Sequence, residues 1–259
     1  MSTVIYPSPI FGPVHSRRLG ISLGINLLPG DGKVCSFDCL YCECGLNAER
    51  RAHKPFPTRE EVRTALRETL TKMKEEGTAP DVLTFAGNGE PTAHPEFGAI
   101  IDDTLALRDA FFPNAKVSVL SNATFIRRPA VFEALKKVDN NILKLDTVSD
   151  DFIRLVDRPQ GVYELGALVE QMRRFDGHCI IQTMFLKGTD STGRDVNNTS
   201  DAFVRPWIDV LCTIRPQQVM IYTIDRETPT STLLKASREE LDAIAAQVEA
   251  AGMNVNVAY

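Results

Sequence analysis

The chain has 259 residues, of which 43% are hydrophobic and 24% charged, with a formal net charge of -5. These values fit a soluble globular protein, with one large core or two smaller ones, and point to neither a disordered chain nor a membrane-buried one. No apolar run reaches the roughly 20 residues that a membrane-crossing helix needs, and the start MSTVIYPSPIFGP lacks a signal-peptide pattern, so the expected compartment is the cytoplasm. The acidic balance excludes a surface that is basic throughout. The first 80 residues nevertheless carry 11 Lys and Arg against 9 Asp and Glu, leaving 18 against 25 for the remainder. The basic run Arg50, Arg51, His53 and Lys54 reads as a solvated loop.

In chain order, residues 20–28 (GISLGINLL) form a first predicted strand, closed by the turn Pro29-Gly30-Asp31-Gly32. A cysteine-rich loop follows. Residues 58–76 place Val62, Ala65, Leu66, Leu70 and Met73 on one helical face, with Thr58 and Glu61 as a capping box and Gly77 as the stop. Strands are expected at 81–86, 116–121, 141–146, 179–186 and 218–224. Helices are expected at 95–110 (Pro95 as first residue), 129–137, 163–175, 201–212 and 237–251, the last with a Ser237/Glu240 capping box. Residues 254–258 add a possible final strand.

Strand–helix alternation implies parallel strands joined by right-handed crossovers. The expected fold is α/β: a partial (β/α)6 TIM-like barrel of parallel strands with outer helices. One domain spans 1–259, with a lead-in at 1–19 and the barrel at 20–259. The functional site belongs at the C-terminal ends of the strands.

Four of the six cysteines lie between Cys35 and Cys44, a placement that indicates metal rather than a disulfide scaffold. Cys35, Cys39 and Cys42 have C-x3-C-x2-C spacing, which lets one loop wrap three thiolates around one centre. Two centres compete. A closed zinc site would take Cys44 or His53 as fourth ligand and would make the chain a zinc-stabilised binding or adaptor protein. A four-iron cubane on three thiolates leaves one iron open for chemistry. Cys44 reads as a bystander, and Cys179 and Cys212, in apolar stretches, read as inert core residues.

The spacing, with Tyr41 before the last cysteine and a strand before the loop, resembles the signature of the radical S-adenosylmethionine (radical SAM) family. The resemblance implies a [4Fe-4S] cluster on Cys35, Cys39 and Cys42 whose open iron receives S-adenosylmethionine. Reductive cleavage then gives a 5'-deoxyadenosyl radical that abstracts hydrogen from a substrate. It implies that Tyr41 lies by the adenine and that Phe37 shields the cluster. Gly87, Asn88, Gly89 and Glu90, at the end of the second strand, resemble the element that holds the methionine amino group. Ser121 and Asn122 match a polar turn facing the same site, where Ala123 replaces the usual glycine. Lys144 and Asp146 share a strand face and form either an ion pair or contacts to the cofactor. Gln182 and Met184 share a face of the next strand, expected to turn inward, with plain core as the alternative for Met184.

Arg226, after the sixth strand, is a candidate for an anionic substrate group, with an exposed salt bridge as the alternative. The lead-in 11–20 resembles a subgroup related to the wybutosine-synthesis enzymes of tRNA, which makes a tRNA base one candidate substrate. Those enzymes carry a second cluster from upstream cysteines, and no cysteine precedes Cys35 here. The Gly-Asn-Gly-Glu-Pro-Thr run also resembles glycyl-radical activases. An external one-electron donor, a flavodoxin or ferredoxin, is implied; a membrane partner is not.

Overall fold

A computed structural model describes residues 3–16 and 19–259; Arg17 and Arg18, part of the lead-in, lie outside the described residues. The strands are β1 (Ile10–Ser16), β2 (Gly20–Ile25), β3 (Val82–Phe85), β4 (Lys116–Ser121), β5 (Asn140–Lys144), β6 (Ile180–Met184), β7 (Leu186–Gly188), β8 (Gln218–Tyr222), β9 (Leu233–Lys235) and β10 (Val255–Ala258). The helices are α1 (Arg59–Glu75), α2 (Phe97–Phe111), α3 (Pro129–Leu135), α4 (Asp150–Phe152), α5 (Leu165–Arg173), α6 (Asp201–Ile214) and α7 (Arg238–Ala250). Eight strands make one sheet in the order β1-β2-β3-β4-β5-β6-β8-β10. From β2 to β10 every pairing is parallel. The expected strand–helix series is present, and residues 255–258 add a seventh parallel strand to the six counted from the pattern.

The strands alternate with period two. Leu23, Ile25, Leu83, Phe85, Val117, Val119, Leu143, Ile181, Val219 and Ile221 pack in the main core with the apolar faces of α1, α2, α3, α5, α6 and α7. On the other face, Ile142, Ile180 and Met220 form a separate cluster with Leu19 and Leu120, while Ser22, Gly24, Thr84, Gln182 and Tyr222 line a cavity. Both capping boxes are formed, at Thr58/Glu61 and Ser237/Glu240. Helix α2 begins two residues later than expected: Pro91–Ala93 make a 3-10 turn, and the backbone turns once more before Phe97.

Three strands were not legible from the pattern. β1 pairs antiparallel with β2, with an irregularity between Phe11 and Val14. Gly12 and Pro13 interrupt its alternation, and a proline is tolerated there because the strand is at the sheet edge. β7 and β9 form a small antiparallel ribbon, so the expected strand 179–186 ends at Met184. Residues 153–157 form a π-turn that closes on Arg158 in the left-handed conformation. Cys179 is buried as expected, but Cys212 is exposed. The buried stripe of α6 is Val204, Trp207, Leu211 and Ile214, and the residue after Leu211 turns outward.

Candidate functional site

The cysteine loop is clamped from both sides by backbone hydrogen bonds. Val34 N–H donates to Asn88 O at 2.9 Å, and Glu90 N–H donates to Val34 O at 3.2 Å. Opposite, Asp38 N–H donates to Asp157 O, Leu40 N–H to Val156 O and Gln160 N–H to Ser36 O. Within the loop, Asn47 Nδ2 donates to the carbonyls of Cys35 and Phe37, and its N–H donates to Asp38 Oδ1. The thiols therefore sit on a braced scaffold.

Donors converge on the sulfurs. Phe37 N–H lies 3.5 Å and Asn122 Nδ2 3.6 Å from Cys35 Sγ, and Lys144 Nζ is 3.3 Å from Cys39 Sγ. Hydrogen bonds and positive charge at the sulfurs suit thiolate ligands of an iron–sulfur centre. Burial pushes the Cys35 thiol up to about 12 and raises Cys39 as well. Cys42 is the more acidic of the adjacent Cys42–Cys44 pair, through the hydrogen bond from Cys44 and then the charge of Lys33. Burial lowers the Lys33 ammonium, but Cys42, Cys35, Cys39 and Asp38 outweigh it and hold the group above its ordinary range. Cys44 is buried, and its Sγ lies 3.3 Å from Gly87 O, an alternative acceptor for its one S–H. Among the described residues, no three His, Cys, Asp or Glu side chains converge closely enough to hold one ion. A cubane binds its thiolates at separate corners and asks for no such convergence.

The glycine turn owes its residue type to the chain itself. Gly89 has φ +135°, and a Cβ there would lie 1.9 Å from Val34 O. Gly87, at φ +129°, would meet the Asn26 side chain at 2.7 Å. Fully buried Asn88 donates to Tyr6 O and Pro29 O and accepts from Tyr6 N–H. Buried Glu90 accepts from Thr92 N–H, Thr92 Oγ1, Ser121 Oγ and Asn122 N–H. Its carboxylate is raised by burial against those bonds. Ala123 has a left-handed backbone at φ 67°, a strain of about 1–2 kcal/mol for a residue with a Cβ.

Strand β5 ends at Lys144, so Asp146 follows the strand rather than sharing its face, and the two side chains form the ion pair anticipated as one alternative. Lys144 Nζ pairs with Asp157 Oδ1 at 2.5 Å and Asp146 Oδ2 at 3.1 Å, and lies over the rings of Tyr41 and Phe37. Tyr41 donates its hydroxyl to Asp146, whose other oxygen accepts from Met184 N–H at 2.9 Å. Asp157 was missed because the π-turn that carries it has no hydrophobic period; its carboxyl is raised by burial, against the pull of Lys144.

A cavity of about 390 Å3 opens beside these groups. Of the residues singled out from the sequence, Tyr41, Cys42, Gly87, Gln182, Met184 and Arg226 line it. Asn88, Gly89, Glu90, Ser121, Asn122, Lys144 and Asp146 lie outside its lining. Gln182 is nearly buried, and its Nε2 has no hydrogen-bond partner. At the mouth, Arg226 Nη1 bonds Glu43 Oε2 at 2.6 Å and the Tyr6 hydroxyl, and Tyr6 also donates to Glu43 Oε1. The salt bridge anticipated as the alternative for Arg226 is thus formed, on the cavity wall. Tyr6 packs against Phe11 at 4.6 Å between centroids, and both line the cavity. The lead-in thus supplies a wall of the site, which its broken pattern concealed.

A curled, mostly parallel sheet with a three-thiol loop and a cavity on its inner face defines an α/β half-barrel enzyme architecture. Residues 31–195 match the Radical SAM superfamily. The chain is 30% identical to a UPF0026 protein of Helicobacter pylori over 242 residues, covering 91% of this chain and 72% of that protein. A UPF0026 protein of Methanocaldococcus jannaschii is 32% identical over 196 residues, 74% of this chain and 58% of that one. Among solved structures, a radical SAM methyltransferase from Sphaerobacter thermophilus superposes with TM-score 0.67 at 17% identity, over 92% of this chain and 66% of that one. Archaeal TYW1 gives TM-score 0.53 at 12% identity, over 88% and 71%. Likeness at these identities is likeness of fold. The chain belongs to the radical SAM superfamily, a family of enzymes. Among the described residues, no helix is long and apolar enough to cross a membrane.

Proposed function

We propose that the chain holds a [4Fe-4S] cluster through Cys35, Cys39 and Cys42, binds S-adenosylmethionine in the adjoining cavity, and acts on a substrate that enters beside Arg226. The observation that carries this reading is the braced three-thiol loop, with N–H and ammonium donors at its sulfurs, beside a cavity that holds the orphaned Gln182 amide. When bound, cluster and cofactor supply a 5'-deoxyadenosyl radical, generated by reductive cleavage of the sulfonium, to abstract a hydrogen atom from the substrate.

The chain's own residues bind and orient. Gln182 Nε2 donates to an acceptor of the bound cofactor, which satisfies a buried donor that otherwise costs about 1–3 kcal/mol. Tyr41 is fixed by its bond to Asp146 and gives the cavity an aromatic wall for the adenine. Gly87 brings its backbone to the cavity, while Asn88, Gly89, Glu90, Ser121 and Asn122 brace the turn and the thiol loop. Lys144 and Asp146 keep both the Tyr41 ring and the Cys39 sulfur in place. Phe37, buried and packed edge-on against Tyr163, excludes water from the thiols. Arg226 holds an anionic substrate group by exchanging Glu43 for it, and Tyr6 and Phe11 offer an aromatic surface. A tRNA base fits this description, and an external flavodoxin or ferredoxin supplies the electron.

Two cysteine replacements test the ligand assignment. Cys39→Ala abolishes cofactor cleavage, whereas Cys44→Ala leaves it largely intact; cleavage retained without Cys39 refutes the assignment. RNA that co-purifies with the protein, is removed by nuclease and is released by salt supports the tRNA base as substrate.

A further inference from the structure

Two ammonium groups, Lys144 part-buried and Lys33 fully buried, stand beside the thiol loop, and they differ in how far their charge is already cancelled. Lys144 Nζ is 3.3 Å from Cys39 Sγ but has two carboxylates, Asp157 and Asp146, at 2.5 and 3.1 Å. Its positive charge is more than matched. Lys33 is the opposite case. Its side chain is 1% exposed, and Nζ donates to Gly45 O at 2.7 Å. Gly45 N–H in turn donates to Cys42 O, so the ammonium lies where the thiol loop closes on itself. Among the described residues, the one carboxylate paired with Lys33 is Asp38, at a looser 3.6 Å. That carboxylate is shared: Asp38 Oδ1 accepts from Asn47 N–H at 2.7 Å, and Oδ2 lies 3.8 Å from Arg158 Nη2. The positive charge at the foot of the loop is therefore left to act on the sulfurs.

Adding an electron to a centre held by three thiolates increases negative charge in a buried place. A fixed positive charge there favours the reduced state, because net charge and hydrogen bonding at the sulfurs set the potential of an iron–sulfur centre. We propose that Lys33 raises the reduction potential of the centre held by Cys35, Cys39 and Cys42, its buried ammonium stabilising the reduced form. The inference rests on the iron–sulfur reading given above and adds to it a positioning residue that acts through charge. The step is a one-electron reduction by an external reductant, with no bond made or broken.

The test is an EPR-monitored potentiometric titration with dithionite, without S-adenosylmethionine, of the anaerobically reconstituted full chain, alongside iron and sulfide analysis. Lys33→Gln and Lys33→Met remove the charge, and Lys33→Arg keeps it. In a neutral variant, the ratio of reduced to oxidised centre at fixed solution potential falls at least tenfold, a negative shift of about 59 mV for one electron. Lys33→Arg stays near the wild-type value. Neutral variants that fail to hold iron while Lys33→Arg holds it express the same charge requirement at assembly and support the assignment. A neutral variant with full iron content and an unchanged potential overturns it, as does Lys33→Arg behaving like the neutral variants. A wild-type protein without iron instead defeats the iron–sulfur reading, and iron analysis separates that failure from the other.

Discussion

Replacing Lys144 by Met removes the one ammonium that serves Asp146, Asp157 and the Cys39 sulfur together. Asp146 and Asp157 are 4% and 3% exposed, so neither carboxylate regains water when its partner is lost. Breaking a buried ion pair by removing one partner costs about 3–5 kcal/mol, because the remaining charge is uncompensated. For a chain of this size about 1 kcal/mol moves Tm by about 2–4 °C, so Lys144→Met should lower Tm on the order of 10 °C. Adding Asp157→Asn to Lys144→Met removes one of the two stranded charges and recovers part of the loss. Lowering the pH narrows the gap between Lys144→Met and wild type, since the Asp157 carboxyl, already raised by burial, protonates more readily once the opposing pull of Lys144 is gone. The assay is thermal unfolding of cluster-free protein under argon, followed by circular dichroism, for the wild type, both single variants and the double. A Lys144→Met protein within about 2 °C of wild type, or a double variant less stable than Lys144→Met, would refute the account of this network.

Three further outcomes follow from particular contacts. Gln182→Leu removes the orphaned buried amide, so the protein without cofactor should unfold at the same or a higher temperature while S-adenosylmethionine binds about tenfold more weakly by calorimetry; unchanged affinity would take Gln182 out of the site. Asp139 is opposed by burial but held below the ordinary carboxylate range by Val117 N–H, Arg108 and Lys116. Its contribution is therefore complete above the unfolded value of about 3.9 and lost as pH falls through the lower folded value. Asp139→Asn should accordingly lower Tm at pH 7 and converge on wild type in acid, and a gap independent of pH would contradict this. Thr58→Ala removes the capping box of α1 and should cost about 1 kcal/mol in urea unfolding, with cofactor cleavage unaffected.

The parallel sheet was legible because its determinants are local. Apolar alternation at 116–121, the apolar run at 218–224, and capping boxes at Thr58 and Ser237 each announce an element without reference to anything distant. The thiol loop was legible for the same reason, since three ligands within eight residues form a local pattern. What escaped depends on long-range pairing. β1 carries Gly12-Pro13 in its middle and becomes a strand only because the exposed edge of β2 accepts it. Asp157 enters the site through a π-turn without period, and Lys33 is exceptional only because the loop closes over it. The glycine turn shows the limit of motif reading in another way. Gly89 is demanded by the Val34 carbonyl, and Glu90 is bonded entirely within the chain, so part of a pattern associated with the cofactor is explained by how the turn holds the thiol loop.

The central claim is that Cys35, Cys39 and Cys42 hold an iron–sulfur centre that meets S-adenosylmethionine, and EPR of the anaerobically purified, reduced chain tests it most directly. The account predicts a four-iron signal that changes when S-adenosylmethionine is added and disappears in Cys39→Ala. A colourless protein that contains zinc and no iron would contradict it.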